Sequence, residues 1–380
     1  DGFSHRNSPT AGVSVDLTIG KQRYISDDSW KVSIHPSFYI PNGINPNYRL
    51  PESNIGFNAQ KEVAFWDKDF DDALWQGAKV IKKELSGWNQ LVERPIPMWK
   101  DYGLKDYVKV ERKSDTLFVA YLPYNAQVNP YIKLKAKVGE IIDIRTDNYC
   151  GGGTPNVYAE YITKNGIQEF EAWGWMNGHQ VLYTIPKDVE VLELKFRETG
   201  YDTEFVGSFS CEDKFYNKLW DKSLRTLYIT MRDTYMDCPD RERAQWWGDV
   251  VNELGEAFYS LDQNAHLLTR KAILELMNWQ RSDSTIFSPV PAGNWNQELP
   301  MQLASIGYYG FWTYYMGTGD KNTIKAVYPN VKKYIHVWKL DEEGLVIPRK
   351  GGWTWGDWGD NKDLVLLYNL WYSLALEGFH

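Results

Sequence analysis

The hydrophobic period of this chain changes once, near Gly207, and that change limits what the chain can fold into. Upstream, apolar and polar residues alternate with period 2 over 107–112, 116–123, 131–139, 140–147 and 189–198, as in half-buried strands. Asn165-Gly166 lies between two further alternating runs and predicts a tight hairpin, because a type I′ turn needs positive φ at both central residues. Residues 101–207 therefore read as an all-β domain, a sandwich. Residues 1–100 are rich in Pro, Gly, Asn and Asp and read as a loop-rich β region, accessory to it. Within that region, 68–81 reads equally well as a connector around Trp75 or a short helix.

Downstream the period is helical. Segments at 211–231, about 240–261, 264–281, 299–317, 321–339 and 360–378 each carry an apolar stripe, so 208–380 reads as a helical domain. In the first, Phe215, Leu219, Trp220, Leu224, Leu227 and Tyr228 share a face behind a capping-box-like Ser210…Asp213. Pro300 near the start of the fourth lacks only an N–H that would have no helical partner. Two connections are short, 262–265 and 317–320. Three are longer and chemically rich: 237–243, 288–299 and 351–362. Short turns make neighbouring helices antiparallel, so alternate connections fall at the same end. The three rich loops are expected on one rim.

The first rich loop, DCPDRER, offers Asp237, Asp240, Arg241, Glu242 and Arg243, with Asp249 following. Glycoside hydrolysis needs two carboxyls, one to protonate the leaving oxygen and one to activate water or attack carbon. If Glu242 and Asp249 both lie on a helix, two turns put them on one face about 10 Å apart. Inverting enzymes use about 6.5–9.5 Å. Acids at a helix N-terminus, braced by Arg, would look the same, and spacing does not choose between the two. Trp246 and Trp247 are adjacent and cannot both face a cleft; one belongs to the core.

Composition narrows the classes. The formal charge is −8, from 42 basic and 50 acidic residues, which gives nucleic-acid phosphates no basic excess to meet. No apolar run approaches the ~20 residues that cross a bilayer. Eighteen Trp and 25 Tyr are more ring surface than a core of this size requires. Trp353, Trp355 and Trp358 lie among glycines in the third rich loop, and Trp295 and Glu298 in the second. Such rings stack on sugars or fill aromatic corners. Cys150, Cys211 and Cys238 make no disulfide framework, and Cys238 beside Pro239 reads as packing rather than a nucleophile. The six His form no metal-ligand pattern, and there is no P-loop or dinucleotide fingerprint, so no metal or cofactor is expected.

The stretch YMDCPDRERAQWWGD resembles the bacterial α-L-rhamnosidases of glycoside hydrolase family seventy-eight, as do YLPYNAQVNPYIKLKAKVGEIIDIRTDN, GYDTEFVGSFSCEDKFYNKLW and WTWGDWGDNKD. The likeness covers most of 100–380. It implies β-sandwich domains followed by an (α/α)6 barrel, and release of terminal rhamnose with inversion from an oligosaccharide, polysaccharide or other glycoside. By position Glu242 matches the general acid. Asp237 and Asp249 match carboxylates that hydrogen-bond the sugar, with Arg241 beside them. Trp247, Trp295, Trp353 and Trp358 are the candidate aromatic contacts. One departure is PDRER, a residue shorter than many members between Pro and Glu-Arg.

Six helices are half of such a barrel, and the family's general base lies on a late loop of it. The chain is therefore expected to be a fragment holding the first half of the barrel. Its first residue, Asp rather than Met, fits a removed leader or a missing upstream region. Alone, such a chain is expected to be catalytically silent, with Asp249, Glu298 and Asp357 the only nearby carboxylates. A binding protein using the same cleft, or a related barrel glycosidase of other sugar specificity, are the alternatives. A periplasmic or extracellular location is favoured over the cytoplasm.

Overall fold

The computed structural model describes residues 11–41, 54–65, 67, 69–81, 92–148, 157–293, 295, 297–349, 356, 360 and 362–380. Trp353, Trp355, Asp357, Trp358 and Cys150 lie outside them.

The chain begins with β1 (Asp16–Ile19) and β2 (Gln22–Ile25), an exposed hairpin, then β3 (Lys31–Val32), β4 (Phe38–Tyr39), β5 (Ile55–Asn58) and β6 (Gln76–Gly77). β3 pairs with β6, and the described residues 69–81 form a connection that contains this short strand and no helix. β4 pairs with β5, and β5 runs parallel to a strand of the main sheet, so part of the region expected to be accessory is built into that sheet.

The main strands are β7 (Lys100–Asp106), β8 (Lys109–Arg112), β9 (Leu117–Ala136), β10 (Ile141–Thr146), β11 (Tyr158–Ile162), β12 (Gly166–Glu171), β13 (Met176–Thr184) and β14 (Glu190–Gly200). The alternating runs 116–123 and 131–139 fall mostly on one strand, β9. Its even positions Ala120, Leu122, Ala126, Val128, Ile132, Leu134 and Ala136 are all buried. The first half of β9 pairs with β13 and β8, the second with β14 and β12. One strand thus serves two layers. They meet where Tyr161 of β11 stacks on Phe170 of β12 at 4.5 Å, and where the Tyr183 hydroxyl of β13 reaches the Tyr131 carbonyl of β9 at 3.1 Å.

The hairpin expected at Asn165-Gly166 does not form. Gly166 takes a positive φ of 97°, but β11 before it pairs with β10 and β5, while β12 after it crosses to β9. The turn chemistry is satisfied by a change of layer.

The helices are α1 (Lys214–Ile229), α2 (Trp247–Ser260), α3 (Gln263–Asn278), α4 (Gln302–Ile306), α5 (Thr313–Thr318), α6 (Lys321–Val337) and α7 (Leu364–Phe379). The cap of α1 is Asp213, whose carboxylate accepts from the Phe215 amide, and Ser210 is not part of it. Of the predicted α1 stripe only Leu227 and Tyr228 are fully buried, while Phe215 and Leu219 are exposed. The expected fourth helix is broken by a π turn over Tyr308–Trp312. A Cβ on Gly310 would come within 1.7 Å of the Ser305 carbonyl, and one on Gly307 within 2.6 Å of the Ala375 backbone. This segment packs on α7 backbone to backbone, and a regular helix with side chains at those points would not fit. The second expected helix starts seven residues late, at Trp247, because residues 237–246 form a closed loop instead.

Trp247, Leu254, Leu268, Ile273, Leu303, Tyr334 and Tyr368 form the helical core. Between sheet and helices runs a polar seam. Glu198 of β14 binds Arg225 of α1 and Lys105 of β7, each at 2.8 Å, and the Gln127 amide of β9 donates to the Ile229 carbonyl at 2.8 Å.

Candidate active site

The acid-rich loop follows from the way α1 ends. Thr230 closes that helix, the Met236 amide returns to the Thr230 carbonyl at 2.8 Å, and the buried Tyr235 hydroxyl lies 2.9 Å from Thr269 on α3. From this anchor the chain makes a ring. The Asp237 amide donates to the Ala244 carbonyl at 2.9 Å, and the Ala244 amide donates back to Asp237 Oδ1 at 3.1 Å. Inside the ring, Arg243 Nε donates to the Pro239 carbonyl at 2.9 Å. Arg243 takes a φ of 51°, a left-handed conformation uncommon for a residue with a Cβ.

Glu242 sits at the centre, 2% exposed. Arg241 Nη2 lies 2.8 Å from its Oε1, and the Trp246 indole N–H donates to its Oε2 at 2.8 Å. Arg241 is half exposed and also faces Asp237 Oδ2 at 3.7 Å. Glu242 lies in a turn, not on α2, so the helical spacing to Asp249 expected from sequence does not apply. Asp249 occupies the first turn of α2, exposed, where a negative charge also favours the helix dipole.

Burial pushes the Asp237 carboxyl up to about 7, with the negative charges of Glu242 and then Asp249 adding to it. The Ala244 amide and the Cys238 thiol pull the other way. Cys238 is itself pushed up to about 11 by burial and by Asp237, so it is a protonated thiol and not a nucleophile at neutral pH. One turn beyond Asp249, Glu253 is raised well above the ordinary carboxylate range by burial, and the charges of Asp249 and Asp237 add to this. The sequence reading missed Glu253. Its spacing of four from Asp249 on one helix was the signal available.

The second rich loop closes on the first. The Trp247 amide donates to Ser288 Oγ at 2.9 Å, and Gln245 Nε2 donates to the Val290 carbonyl at 2.8 Å. Trp295 meets Trp246 edge to face with centroids 6.1 Å apart. Glu298 is buried and held by Arg349 Nε at 2.7 Å, which brings the segment before the third rich connection to the second. Trp247 corrects the expectation from sequence. It is 0% exposed and packs on Phe311, so Trp246 is the indole at the site. The structure thus gathers Asp237, Arg241, Glu242, Trp246, Asp249, Glu253 and Trp295, and leaves Trp247 in the core.

Residues 204–366 match the family model described as the bacterial alpha-L-rhamnosidase 6 hairpin glycosidase domain. Over that segment the chain is similar to the bacterial α-L-rhamnosidases. An α-L-rhamnosidase of Formosa agariphila is 24% identical to it over 397 aligned positions, covering 92% of this chain and 39% of that protein. In fold it resembles the Streptomyces avermitilis α-L-rhamnosidase complexed with L-rhamnose, with a TM-score of 0.75 at 18% identity, over 96% of this chain and 36% of that one. The α-L-rhamnosidase of Dictyoglumus thermophilum matches with a TM-score of 0.73 at 19% identity, over 94% and 41%. The chain therefore spans about two fifths of the length of the rhamnosidases it matches. The family match contains the whole acid loop, α2 and the Trp295 loop.

Proposed function

We propose that this chain carries the acid-bearing part of an enzyme that hydrolyses terminal α-L-rhamnosides with inversion, its helices forming part of an (α/α)6 barrel. Glu242 protonates the departing oxygen. Asp237, Asp249 and Arg241 hold the rhamnose hydroxyls, and Trp246 and Trp295 wall the sugar. The observation that carries the reading is the Glu242 carboxyl, sequestered between the Arg241 guanidinium and the Trp246 indole beside Asp237. Arg241 is the exposed member of this group, so it is the one that an entering glycoside meets first. The rhamnosidase relatives support the choice of sugar.

Inversion needs a second carboxylate on the opposite sugar face. Among the described residues Glu298 is already held by Arg349 and Asp249 is assigned to the sugar, and the resemblance implies a base on a late loop of the barrel, so we place the base outside residues 1–380. The isolated polypeptide is then silent on aryl rhamnosides. Turnover abolished by Glu298→Gln or Asp249→Asn would show the base to lie within it. We also place the protein outside the cytoplasm, periplasmic or extracellular, where glycosides are encountered.

The test of the acid is Glu242→Gln in the full-length protein. General acid catalysis contributes about 10²–10⁴-fold, and the loss should appear on rhamnosides with alkyl or sugar leaving groups. Activated aryl rhamnosides, which leave without protonation, should be largely spared. An equal loss on both, or none, would sink the assignment.

A further inference from the structure

We infer that Trp175, supplied by the β12–β13 connection of the sheet, is a positioning residue for Glu242 that acts through Arg243. This inference rests on Glu242 being the general acid.

The Arg243 guanidinium carbon lies 3.4 Å from the centre of the Trp175 ring. Arg243 is 7% exposed, so this cation–π contact is made largely out of water, where it is strongest. The same side chain fastens the turn that carries the acid, through its bond to the Pro239 carbonyl. Its backbone is left-handed, and such conformations persist where the surroundings over-determine them. Among the described residues, Trp175 sits against Arg243 from the sheet with its ring, and its carbonyl accepts from Arg243 Nη2 at 3.5 Å.

Trp175 is in turn held in place. Arg232 lies 4.6 Å from its ring centre and 3.9 Å from that of Trp99. Arg232 also donates to Gln127 Oε1 of β9 and, at 3.1 Å, to Thr199 of β14. A rigid path of contacts therefore runs from two sheet strands through Trp175 to the residue next to Glu242. The ring closure between Asp237 and Ala244 is independent of the Arg243 side chain. Loss of Trp175 should therefore release the Pro239–Arg243 turn while Asp237 keeps its place.

A misplacement of about 1 Å costs a proton transfer up to 100-fold while leaving sugar contacts that do not change in the transition state. The experiment compares Trp175→Leu, Trp175→Phe and Arg243→Lys with the unmodified full-length protein. kcat and KM are measured on rhamnosides whose leaving groups run from alkyl to nitrophenyl. We expect Trp175→Leu to lower kcat on alkyl rhamnosides about 10-fold or more, with KM and the nitrophenyl rate within about 3-fold. Arg243→Lys should behave alike, because an ammonium does not stack as a planar guanidinium does. Trp175→Phe, which keeps a ring, should fall between. If Trp175→Leu does not fold by circular dichroism, the other two variants carry the test. A loss of the same size for every leaving group, or an unchanged alkyl rate, overturns the inference. Glu242→Gln is run in parallel. If it shows the leaving-group pattern and the Trp175 and Arg243 variants do not, this inference alone fails; if Glu242→Gln lacks the pattern, the acid assignment fails and takes the inference with it.

Discussion

Asp237 carries a stability cost that a purely structural brace would not. Its carboxyl titrates near 7 in the folded chain against an ordinary 3.8, because burial and the Glu242 and Asp249 charges disfavour ionisation. The folded state therefore holds its proton more tightly than the unfolded state. The resulting stability is complete below about pH 4 and is lost as pH rises through 7, a difference on the order of 3–4 kcal/mol. Asp237→Asn cannot ionise, so it should melt higher than the parent at pH 8 and converge with it at pH 4. In the full-length protein the same variant should bind rhamnose more weakly by about 1.5–3 kcal/mol, the worth of bonds to a charged group. Thermal melts across pH decide between roles: an Asn variant that melts lower at pH 8 would make Asp237 a brace. At this scale the sequence made Asp237, Arg241 and Glu242 legible, because chemistry-bearing residues were crowded into one short loop. It did not separate Trp246 from Trp247. Which of two adjacent indoles faces the core depends on where α2 begins, and the ring between Asp237 and Ala244 decides that.

Elements whose local signals agree with their packing were the readable ones. α6 starts at Asp320, whose Oδ1 accepts from the Asn322 and Thr323 amides at 3.0 and 3.1 Å, while its Oδ2 takes the Tyr314 hydroxyl at 2.7 Å. Burial works against ionisation there, yet the Thr323 hydroxyl first, then the amides and the Tyr314 hydroxyl, hold the carboxyl at about 2. Asp320→Ala should cost about 2 kcal/mol in urea unfolding, at the upper end for a lost cap, and Asp320→Asn clearly less because it still accepts from the amides. Equal losses would mean that charge, not capping geometry, is what α6 needs. The fourth helix and the Asn165-Gly166 hairpin were misread for one reason. Periodicity and turn chemistry are local, whereas the backbone contact of Gly307 with α7 and the crossing of β12 to the second layer are tertiary. Trp175 escaped notice likewise: nothing near it in sequence announces a partner at Arg243.

A buried ion pair joins the sheet to the helices, and it makes the molecule respond to acid. Glu198 is 2% exposed and accepts from Lys105, Arg225 and Tyr124. Burial alone would raise its pKa, but Lys105 and Arg225 outweigh this and hold it below the ordinary glutamate value. Arg225 in turn donates to the Asn125 carbonyl at 2.6 Å and lies 3.9 Å over the Tyr124 ring, so it has little freedom to swing into water. Glu198→Ala would strand that guanidinium between the two units. Breaking a buried pair from one side costs about 3–5 kcal/mol. A carboxyl with a lowered folded pKa contributes stability above its unfolded pKa, and loses it as pH falls through the folded one. The deficit of Glu198→Ala should therefore be full at pH 7 and shrink toward pH 3, opposite to the trend for Asp237. Urea unfolding at both pH values, followed by tryptophan fluorescence and by far-ultraviolet dichroism, checks it. A deficit under about 1 kcal/mol at pH 7 would mean that the pair behaves as a solvated surface bridge, and that the seam is held instead by the Gln127 and Arg232 contacts.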